Sequence, residues 1–217
     1  RFWRRRRPGF MVTSLLSDAD AREVEAAVAR VESGSAAEVV VAVVPRSGDH
    51  WRGRILVSLA WAMAAAFCVL EFLPGHSPAL ALLVELGVGL LSFFVLAWQP
   101  LQRWLVSPRA AQEAAHARAF QLFAERGLYG TKGRTALLIF VSELERRVVL
   151  LGDATIHAQL GQAGWTHEVQ RIIGRIREGR LKDGLLEVIA DLEPRLAAAA
   201  PRQTDDTNEL PDAVIRR

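Results

Sequence analysis

The chain has 217 residues, of which 51% are hydrophobic, a high share for a soluble protein, and these concentrate between Ile55 and Trp98. The formal net charge of +3 comes from one segment. Five of the 27 basic residues are arginines within residues 1–7, and the remaining chain has 22 basic residues and 24 acidic ones. Without a basic face outside that tail, we exclude nucleic acid as a partner. The single cysteine, Cys68, excludes an internal disulfide and a zinc site of paired cysteines.

Residues 1–10 form a predicted basic tail, in which Phe2 and Trp3 accompany the arginines. Such a tail favours the anionic cytoplasmic leaflet of a membrane, at roughly 1 kcal/mol per basic residue, with tryptophan among the lipid headgroups. Met11, just before the first patterned segment, is an alternative start that would remove the tail. Membrane lipid is the partner that this tail indicates.

Residues 11–50 predict a helix followed by a strand, the first part of an α/β domain. Ser17 and Asp20 have the spacing of a capping box, and apolar residues at helical intervals continue to about Glu32. The run EVVVAVV at 38–44 is rich in β-branched residues and is followed by proline, which is typical of a buried strand.

Residues 51–106 contain two apolar segments, at about 55–73 and 79–98, separated by the turn Pro74–Pro78. At about 1.5 Å per residue, each segment spans the roughly 30 Å hydrocarbon core of a bilayer. Two buried helices of a soluble protein are the alternative, but such helices are usually shorter and carry a polar stripe. Because these segments are apolar all round, we predict a transmembrane hairpin that interrupts the α/β domain.

Five residues mark the predicted position of this hairpin in the membrane. Trp51, Trp98 and Trp104 lie near one boundary, as an interfacial belt of aromatic residues does. Glu71, near the end of the first segment, is predicted to reach the nearby interface, whereas Glu85 lies deeper. For Glu85 two hypotheses stay open: a functional proton or partner site, and a protonated or hydrogen-bonded carboxyl group between the helices.

The arginines that flank the hairpin predict its orientation. Arg52 and Arg54 precede the first segment, Arg103 and Arg109 follow the second, and the turn between them has neither Lys nor Arg. The positive-inside rule then predicts a multi-pass protein with both termini and the soluble domain in the cytoplasm.

Residues 107–200 predict the second part of the domain, and 201–217 predict a polar, mobile C-terminal tail. The predicted elements, in chain order, are a helix at 108–126, strands at 135–142 and 147–151 joined as a hairpin, and amphipathic helices around 169–176 and 185–196. The glycine-rich segment Gly127–Arg134 lacks the ending of a phosphate-binding P-loop and is predicted to connect helix to strand. Outside the hairpin, about 130 residues remain, enough for one α/β core.

Two histidines, His157 and His167, lie in a predicted loop before the helix that begins near Val169. Together with Asp153 they are candidates for a metal or acid–base site. The competing interpretation is that both are surface histidines beside a helix start, because the spacing of a metal site is missing.

Four passages of the chain, taken in order, resemble the TPM domain family. They are AEVVVAVV at 37–44, GRTALLIFVS at 133–142, ERRVVL at 145–150 and GRLKDGL at 179–185. The family includes a thylakoid-lumen protein involved in photosystem II repair, an animal modulator of acetylcholine receptors and many bacterial proteins. The resemblance implies a three-layer α/β fold with helices on both faces of the sheet, here in the inner membrane of a bacterium.

For some members, the resemblance also implies weak phosphatase activity or divalent-cation binding. It points to Glu143, Glu145 and Asp153, around the turn between two strands, as candidate ligands of a divalent cation. Glu145, Asp153 and His157 are the corresponding candidate catalytic residues. Each carboxylate equally suits a solvated surface turn.

Two functions stay open at this point. The favoured hypothesis is a membrane-tethered module that binds or modulates other membrane proteins during their assembly or maintenance, which predicts co-purification with such proteins. The alternative is a membrane-bound, metal-assisted phosphatase, which predicts turnover of a phosphomonoester that falls when Glu145 or Asp153 becomes alanine. The oligomeric state is left open, although Gly87 and Gly89 would let another helix approach closely.

Overall fold

The computed structural model describes residues 16–73, 75, 77–131, 133–202 and 213–216. The predicted basic tail at 1–10, the alternative start Met11, and Pro74 and His76 of the predicted turn lie outside these residues. The elements, in chain order, are α1 (Asp18–Gly34), β1 (Glu38–Val44), α2 (Trp51–Phe72), α3 (Pro78–Val95), α4 (Gln99–Leu105), α5 (Pro108–Glu125), a 3-10 turn (Leu128–Gly130), β2 (Ala136–Ser142), β3 (Arg147–Gly152), α6 (Ala154–Arg177), α7 (Leu181–Ala199) and β4 (Ile215–Arg216).

The chain divides into two compact units. The first, called the α/β unit, runs up to Ser47 and resumes at Ala114. The second, called the hairpin unit, is Gly48–Glu113. The hairpin unit is therefore an insertion into the sequence of the α/β unit.

The α/β unit contains a mixed sheet of three longer strands and one two-residue strand, in the order β3-β2-β1-β4. β1 and β2 run parallel, in register from Glu38 opposite Ala136 to Val44 opposite Ser142. β2 and β3 are antiparallel, as the predicted hairpin requires. Every residue of β1 and β2 is buried, which explains why their sequences are continuous apolar runs rather than alternating ones.

Alternate residues of the strands contribute to two separate hydrophobic clusters. The first cluster joins Val39, Val41 and Val43 of β1 to residues of α1, α6 and α7. The second joins Val40, Ala42 and Val44 to residues of α5 and to the 3-10 turn. Because successive side chains of a strand point to opposite faces, each cluster belongs to one face of the sheet.

The start of α1 follows the predicted capping signal. The Ser17 side chain accepts a hydrogen bond from the Asp20 backbone N–H at 3.1 Å, and the Ser17 N–H donates to the Asp20 carboxylate at 3.2 Å. This is the predicted capping box, and it is confirmed. Gly127, with a φ of 67°, ends α5 in the left-handed conformation that glycine adopts readily.

In the hairpin unit, α2 and α3 are both long and apolar enough to cross a membrane, each with a mean hydropathy of 2.1. Their contacts fix an antiparallel arrangement. The Arg54 guanidinium near the start of α2 lies 4.2 Å from the ring centre of Phe93 near the end of α3, and Ala62 faces Gly89. Most of the large side chains on these helices are exposed, up to 70% for Phe72.

Two predictions about element boundaries are wrong. The predicted loop around His157 and His167 is part of α6, which begins at Ala154 because Asp153 caps it. The second apolar helix ends at Val95 instead of 98, since Pro100 fits only the first turn of a new helix, α4. Of the C-terminal tail predicted at 201–217, residues 203–212 and Arg217 lie outside the described residues, and Ile215–Arg216 form β4, which pairs with β1.

Candidate functional site

The turn between β2 and β3 packs onto the end of β1 through its backbone. The Glu143 N–H donates to the carbonyl oxygen of Val44 and the Leu144 N–H to that of Pro45, both at 3.0 Å. Arg146 takes a left-handed conformation, with a φ of 49°, and the chain then enters β3. Glu143 is buried, with 6% of its surface exposed, so it does not occupy a solvated surface turn.

Glu145 holds the segment that follows β1. The Ser47 backbone N–H lies 3.1 Å from each of its two carboxylate oxygens, and the Ser142 hydroxyl donates to Oε2. A carboxylate that accepts several hydrogen bonds from the protein is held in one orientation. Glu145 is therefore engaged as a structural acceptor.

Asp153 lies at the other end of the sheet. Its backbone N–H donates to the carbonyl oxygen of Ala136, the first residue of β2, whereas Glu145 contacts Ser142, the last residue of β2. Six residue steps of a strand cover about 20 Å. The sequence grouped Asp153 with Glu145 around one turn, but the fold separates them by the length of β2.

The side chain of Asp153 caps α6, with Oδ1 accepting the Ala154 N–H at 2.7 Å, while Oδ2 is buried without a hydrogen-bond partner. Glu143, Glu145 and Asp153 therefore do not fit one divalent cation. Among the residues that the structure describes, no group of three or more His, Cys, Asp or Glu side chains is placed to hold a metal ion.

The two candidate histidines do not meet. His157 and His167 are both exposed on α6, and their ten-residue separation amounts to about 15 Å along a helix axis. His157 follows Asp153 by one helical turn, with its backbone N–H donating to the Asp153 carbonyl oxygen at 2.9 Å. Asp153 and His157 are therefore related as the cap of a helix and a residue of its first turn.

A buried acidic residue that sequence reasoning missed is Glu168 on α6, which has 0% of its surface exposed. Its carboxylate lies 3.7 Å from the Arg171 guanidinium and 3.8 Å from that of Arg195 on α7. Arg171 also pairs with Asp191, and this hydrogen bond raises the pKa of Arg171. The signal was present, because Glu168 precedes the buried Ile172 by one turn and so lies on the apolar face of the helix.

The positions of the acidic and aromatic residues of the hairpin unit follow from the antiparallel arrangement of α2 and α3. Trp51 begins α2, and Trp98 and Trp104 follow α3, which puts all three near the same end; they are 52%, 64% and 90% exposed. Glu71 is exposed at the opposite end of α2, and Glu85 is half-buried on α3. Glu85 lies seven residues, or about 10 Å, inside the helix from Pro78.

The described geometry is that of an α/β protein with two membrane-competent helices inserted after its first strand. No family model matches the chain, and no curated protein matches it. Its structure is similar to the NMR structure of the BA42 protein from the psychrophilic bacterium Bizionia argentinensis, with a TM-score of 0.58. The likeness covers 95% of this chain and 99% of that chain at 16% sequence identity, and it concerns the fold alone.

Proposed function

We propose that this chain is a membrane-tethered module that binds or modulates other membrane proteins during their assembly or maintenance. The observation that carries the proposal is the apolar surface of α2 and α3. Only 17% and 6% of their most apolar windows are buried, whereas a core helix of a soluble protein is mostly buried. Hydrocarbon is the environment in which such surfaces are stable, and helices satisfy their backbone hydrogen bonds there.

The membrane position that we propose is multi-pass, in the inner membrane of a bacterium, with both termini and the α/β unit in the cytoplasm. Arg52 and Arg54 belong to the first turn of α2, and Arg109 follows α3 along the chain. The same end of the helix pair has the three exposed tryptophans. Basic residues on the cytoplasmic side are typical of this orientation, whereas tryptophan is typical of either membrane interface and supports only the position of this end at an interface.

For the α/β unit we propose a TPM-like domain of three layers. The two hydrophobic clusters support this arrangement, since one includes α1, α6 and α7 and the other includes α5. The likeness to the BA42 protein supports a fold that other proteins share. The family itself rests on the four sequence passages at 37–44, 133–142, 145–150 and 179–185.

Binding is favoured over phosphatase activity because the candidate carboxylates are otherwise engaged. Glu145 accepts hydrogen bonds from Ser47 and Ser142, and Asp153 caps α6 from the opposite end of β2. Metal-assisted hydrolysis requires ligands that converge on one ion, with an open position for water or substrate. These residues do not converge.

The experiment is affinity capture of the full chain from native membranes in mild detergent after chemical cross-linking. A tagged protein with an unrelated two-helix membrane anchor serves as the control. We expect the chain in the carbonate-washed membrane pellet, with specific membrane proteins enriched over the control. Recovery of the chain in the supernatant after ultracentrifugation would contradict the membrane proposal.

The competing activity has its own test. Purified full chain, supplemented with Mg²⁺ or Mn²⁺, is assayed on p-nitrophenyl phosphate beside Glu145→Ala and Asp153→Asn. We expect no turnover above the protein-free blank. Turnover that falls in either folded variant would replace the binding proposal by the phosphatase.

The orientation is tested separately with reporter fusions after Arg202 and at Gly75. We expect the Arg202 fusion to report the cytoplasm and the Gly75 fusion to report the opposite side. The reverse result would overturn the proposed orientation without affecting the membrane proposal.

A further inference from the structure

A cavity of about 410 Å³ lies in the hairpin unit, at the end where α2 begins and α4 leads into α5. Its wall combines His50, Trp51 and Arg52, at the start of α2, with Leu105 and Ser107, in the segment that joins α4 to α5. The volume falls within the range of about 300–1,000 Å³ that is usual for small-molecule sites. The same end of the helix pair has the three exposed tryptophans, so the cavity lies where an inserted hairpin meets the lipid headgroups.

Gly53 brings one side of this wall close to the other. A Cβ at Gly53 would lie 3.4 Å from the carbonyl oxygen of Leu105 and 3.8 Å from the Leu105 Cβ. The last residue of α4 therefore passes directly beside the first turn of α2. This contact closes one side of the cavity.

The ionisable side chains of the wall, among the residues that the structure describes, are those of Asp49, His50 and Arg52. Arg52 is exposed, and its guanidinium carbon lies 5.9 Å from the ring centre of Trp51, within the range of a cation–π interaction. A guanidinium pairs with a phosphate through two parallel N–H···O hydrogen bonds. The wall thus has a cation suited to a phosphate, and the carboxylate of Asp49 suits an ammonium group on the same ligand.

An apolar ridge on α2 continues from the cavity along the helix. Leu56, Leu59 and Met63 follow Arg52 at intervals of four, three and four residues, so they share one face of α2 with it. They are 68%, 53% and 60% exposed. The eleven residues from Arg52 to Met63 cover about 16 Å along the helix axis, close to half of the roughly 30 Å hydrocarbon core. The ridge therefore has the length of an acyl chain in one leaflet.

We propose that this cavity binds the headgroup of an aminophospholipid, with the phosphodiester at Arg52, the primary ammonium at Asp49 and an acyl chain along the ridge of Leu56, Leu59 and Met63. A polar cavity that continues into an apolar ridge matches a lipid better than a soluble phosphate, which has nothing to place on the ridge. The bound headgroup holds the start of α2 and the segment before α5 together. The inference rests on the proposed membrane insertion and names one lipid partner of the hairpin unit.

The test measures lipid binding to the full chain in detergent micelles by native mass spectrometry. Dioleoyl phosphatidylethanolamine and dioleoyl phosphatidylglycerol have the same acyl chains and a phosphodiester, but only the first has an ammonium group. We expect a saturable site that binds phosphatidylethanolamine at least tenfold more tightly than phosphatidylglycerol. Equal affinity for the two lipids would overturn the proposal. Equally tight binding of glycerophosphoethanolamine, which has no acyl chains, would also overturn it, since the ligand would then be a soluble phosphate ester.

Two arginine variants test the position of the phosphodiester. Arg52→Gln removes the guanidinium, and we expect about tenfold weaker binding of phosphatidylethanolamine, as for the loss of a hydrogen bond between charged groups. Arg109→Gln is the matched control, because Arg109 is an exposed arginine of the hairpin unit that does not line the cavity. We expect its affinity to be unchanged. An equal loss in both variants would indicate general attraction to the lipid charge and would contradict the site.

Asp49→Asn tests the position of the ammonium group. We expect this variant to lose the preference for phosphatidylethanolamine over phosphatidylglycerol while it still binds both lipids. An unchanged preference in the folded variant would refute the assignment of Asp49. Circular dichroism checks that each variant is folded. If Arg52→Gln is not folded, Arg52→Lys replaces it, and we expect about threefold weaker binding because an ammonium does not form the paired hydrogen bonds of a guanidinium.

The proposed membrane insertion and this lipid site fail in different ways. If the chain is recovered in the carbonate-washed membrane pellet but binds the two lipids equally, the insertion stands and the lipid site is wrong. If the chain is recovered in the supernatant, the insertion itself is wrong, and the lipid site with it.

Discussion

Both carboxylate oxygens of Glu145 lie 3.1 Å from the backbone nitrogen of Ser47, 98 residues earlier in the chain. Ser47 is the last residue of the α/β unit before the hairpin unit begins at Gly48. A residue of the β2–β3 turn thus holds the chain at the point where it leaves the sheet. The contact is the reason that Glu145 is a structural residue in this fold.

Replacing Glu145 by alanine removes the acceptor for the Ser47 N–H and the Ser142 hydroxyl. We expect a loss of about 1–3 kcal/mol in the free energy of unfolding, because a half-buried donor loses its charged partner. Urea unfolding of the full chain in micelles, followed by circular dichroism, measures it. Glu193→Ala, at an exposed position on α7, is the control and should change stability little. Equal stability of the two variants would refute the structural role.

Gly184 allows α7 to approach α6 closely. A Cβ at Gly184 would lie 2.7 Å from the Arg175 Cβ, whereas a Cβ at Gly174 meets nothing within 4 Å. We expect Gly184→Ala to cost about 1–3 kcal/mol through overpacking. Gly174→Ala, the matched control, should stabilise the helix by up to about 1 kcal/mol. Thermal unfolding midpoints decide the matter, and a Gly184 variant at least as stable as its control would contradict the close approach.

In the hairpin unit, Gly89 allows α3 to approach α2 closely. A Cβ at Gly89 would lie 3.2 Å from the Cβ of Ala62, while Gly87 has nothing within 4 Å. We expect Gly89→Val to lower the thermal midpoint in micelles and Gly87→Val to change it little, with both variants still in the membrane fraction. The two substitutions have the same helix propensity, so the difference between them measures the packing of α2 on α3. No difference would mean that these helices do not meet at Gly89.

Asp20 gives the α/β unit a defined pH dependence. Hydrogen bonds from the side chain and the backbone of Ser17, followed by the interaction with Lys182, hold the pKa of Asp20 below its ordinary value. A lowered pKa in the folded state means that the stabilisation is complete above about 3.8, the ordinary pKa of an aspartyl group, and is lost as the pH falls through the lower folded value. Ser17→Ala should therefore destabilise the chain at pH 7, and the difference from the unaltered chain should shrink below pH 3.8.

The measurement combines an NMR titration of the Asp20 carboxyl group with urea midpoints at several pH values. We expect Ser17→Ala to raise the pKa of Asp20. Ser33→Ala, near the other end of α1, should leave that pKa unchanged. A pKa that does not move in Ser17→Ala would show that the capping box does not control the carboxyl group.

Much of the fold could be predicted because its signals are local. The strand 38–44 was predicted with its observed bounds, and α5 within about one residue, because β-branched runs and Ser-Pro helix starts act on neighbouring residues. The end of α3 was missed at Val95, although Pro100 offered a local signal for it. His157 and His167 were assigned to a loop because two glycines interrupt the pattern there, yet packing of α6 on the rest of the core outweighs that preference.

The candidate site was less predictable, since it depends on which ends of the strands meet. Glu145 and Asp153 are only eight residues apart in sequence, but β3 lies between them and carries the chain along the length of β2. Glu168 was overlooked as an acidic residue in an amphipathic helix, and the residue of α7 that lies beside its carboxylate, Arg195, comes 27 residues later in the chain. No periodicity within α6 identifies the residue that will cover it.

The sequence by itself determined that two helices are long and apolar enough to cross a membrane, because length and hydrophobicity over about 20 consecutive residues set that capacity without reference to the rest of the chain. It also determined β1, β2 and the capping of α1. Only the tertiary structure decided that Glu145 holds Ser47, that Glu25 accepts the Val214 N–H, and that β4 lies beside β1. These contacts join residues between 98 and 189 positions apart. Their geometry follows from the packing of the whole core, to which local propensity contributes little.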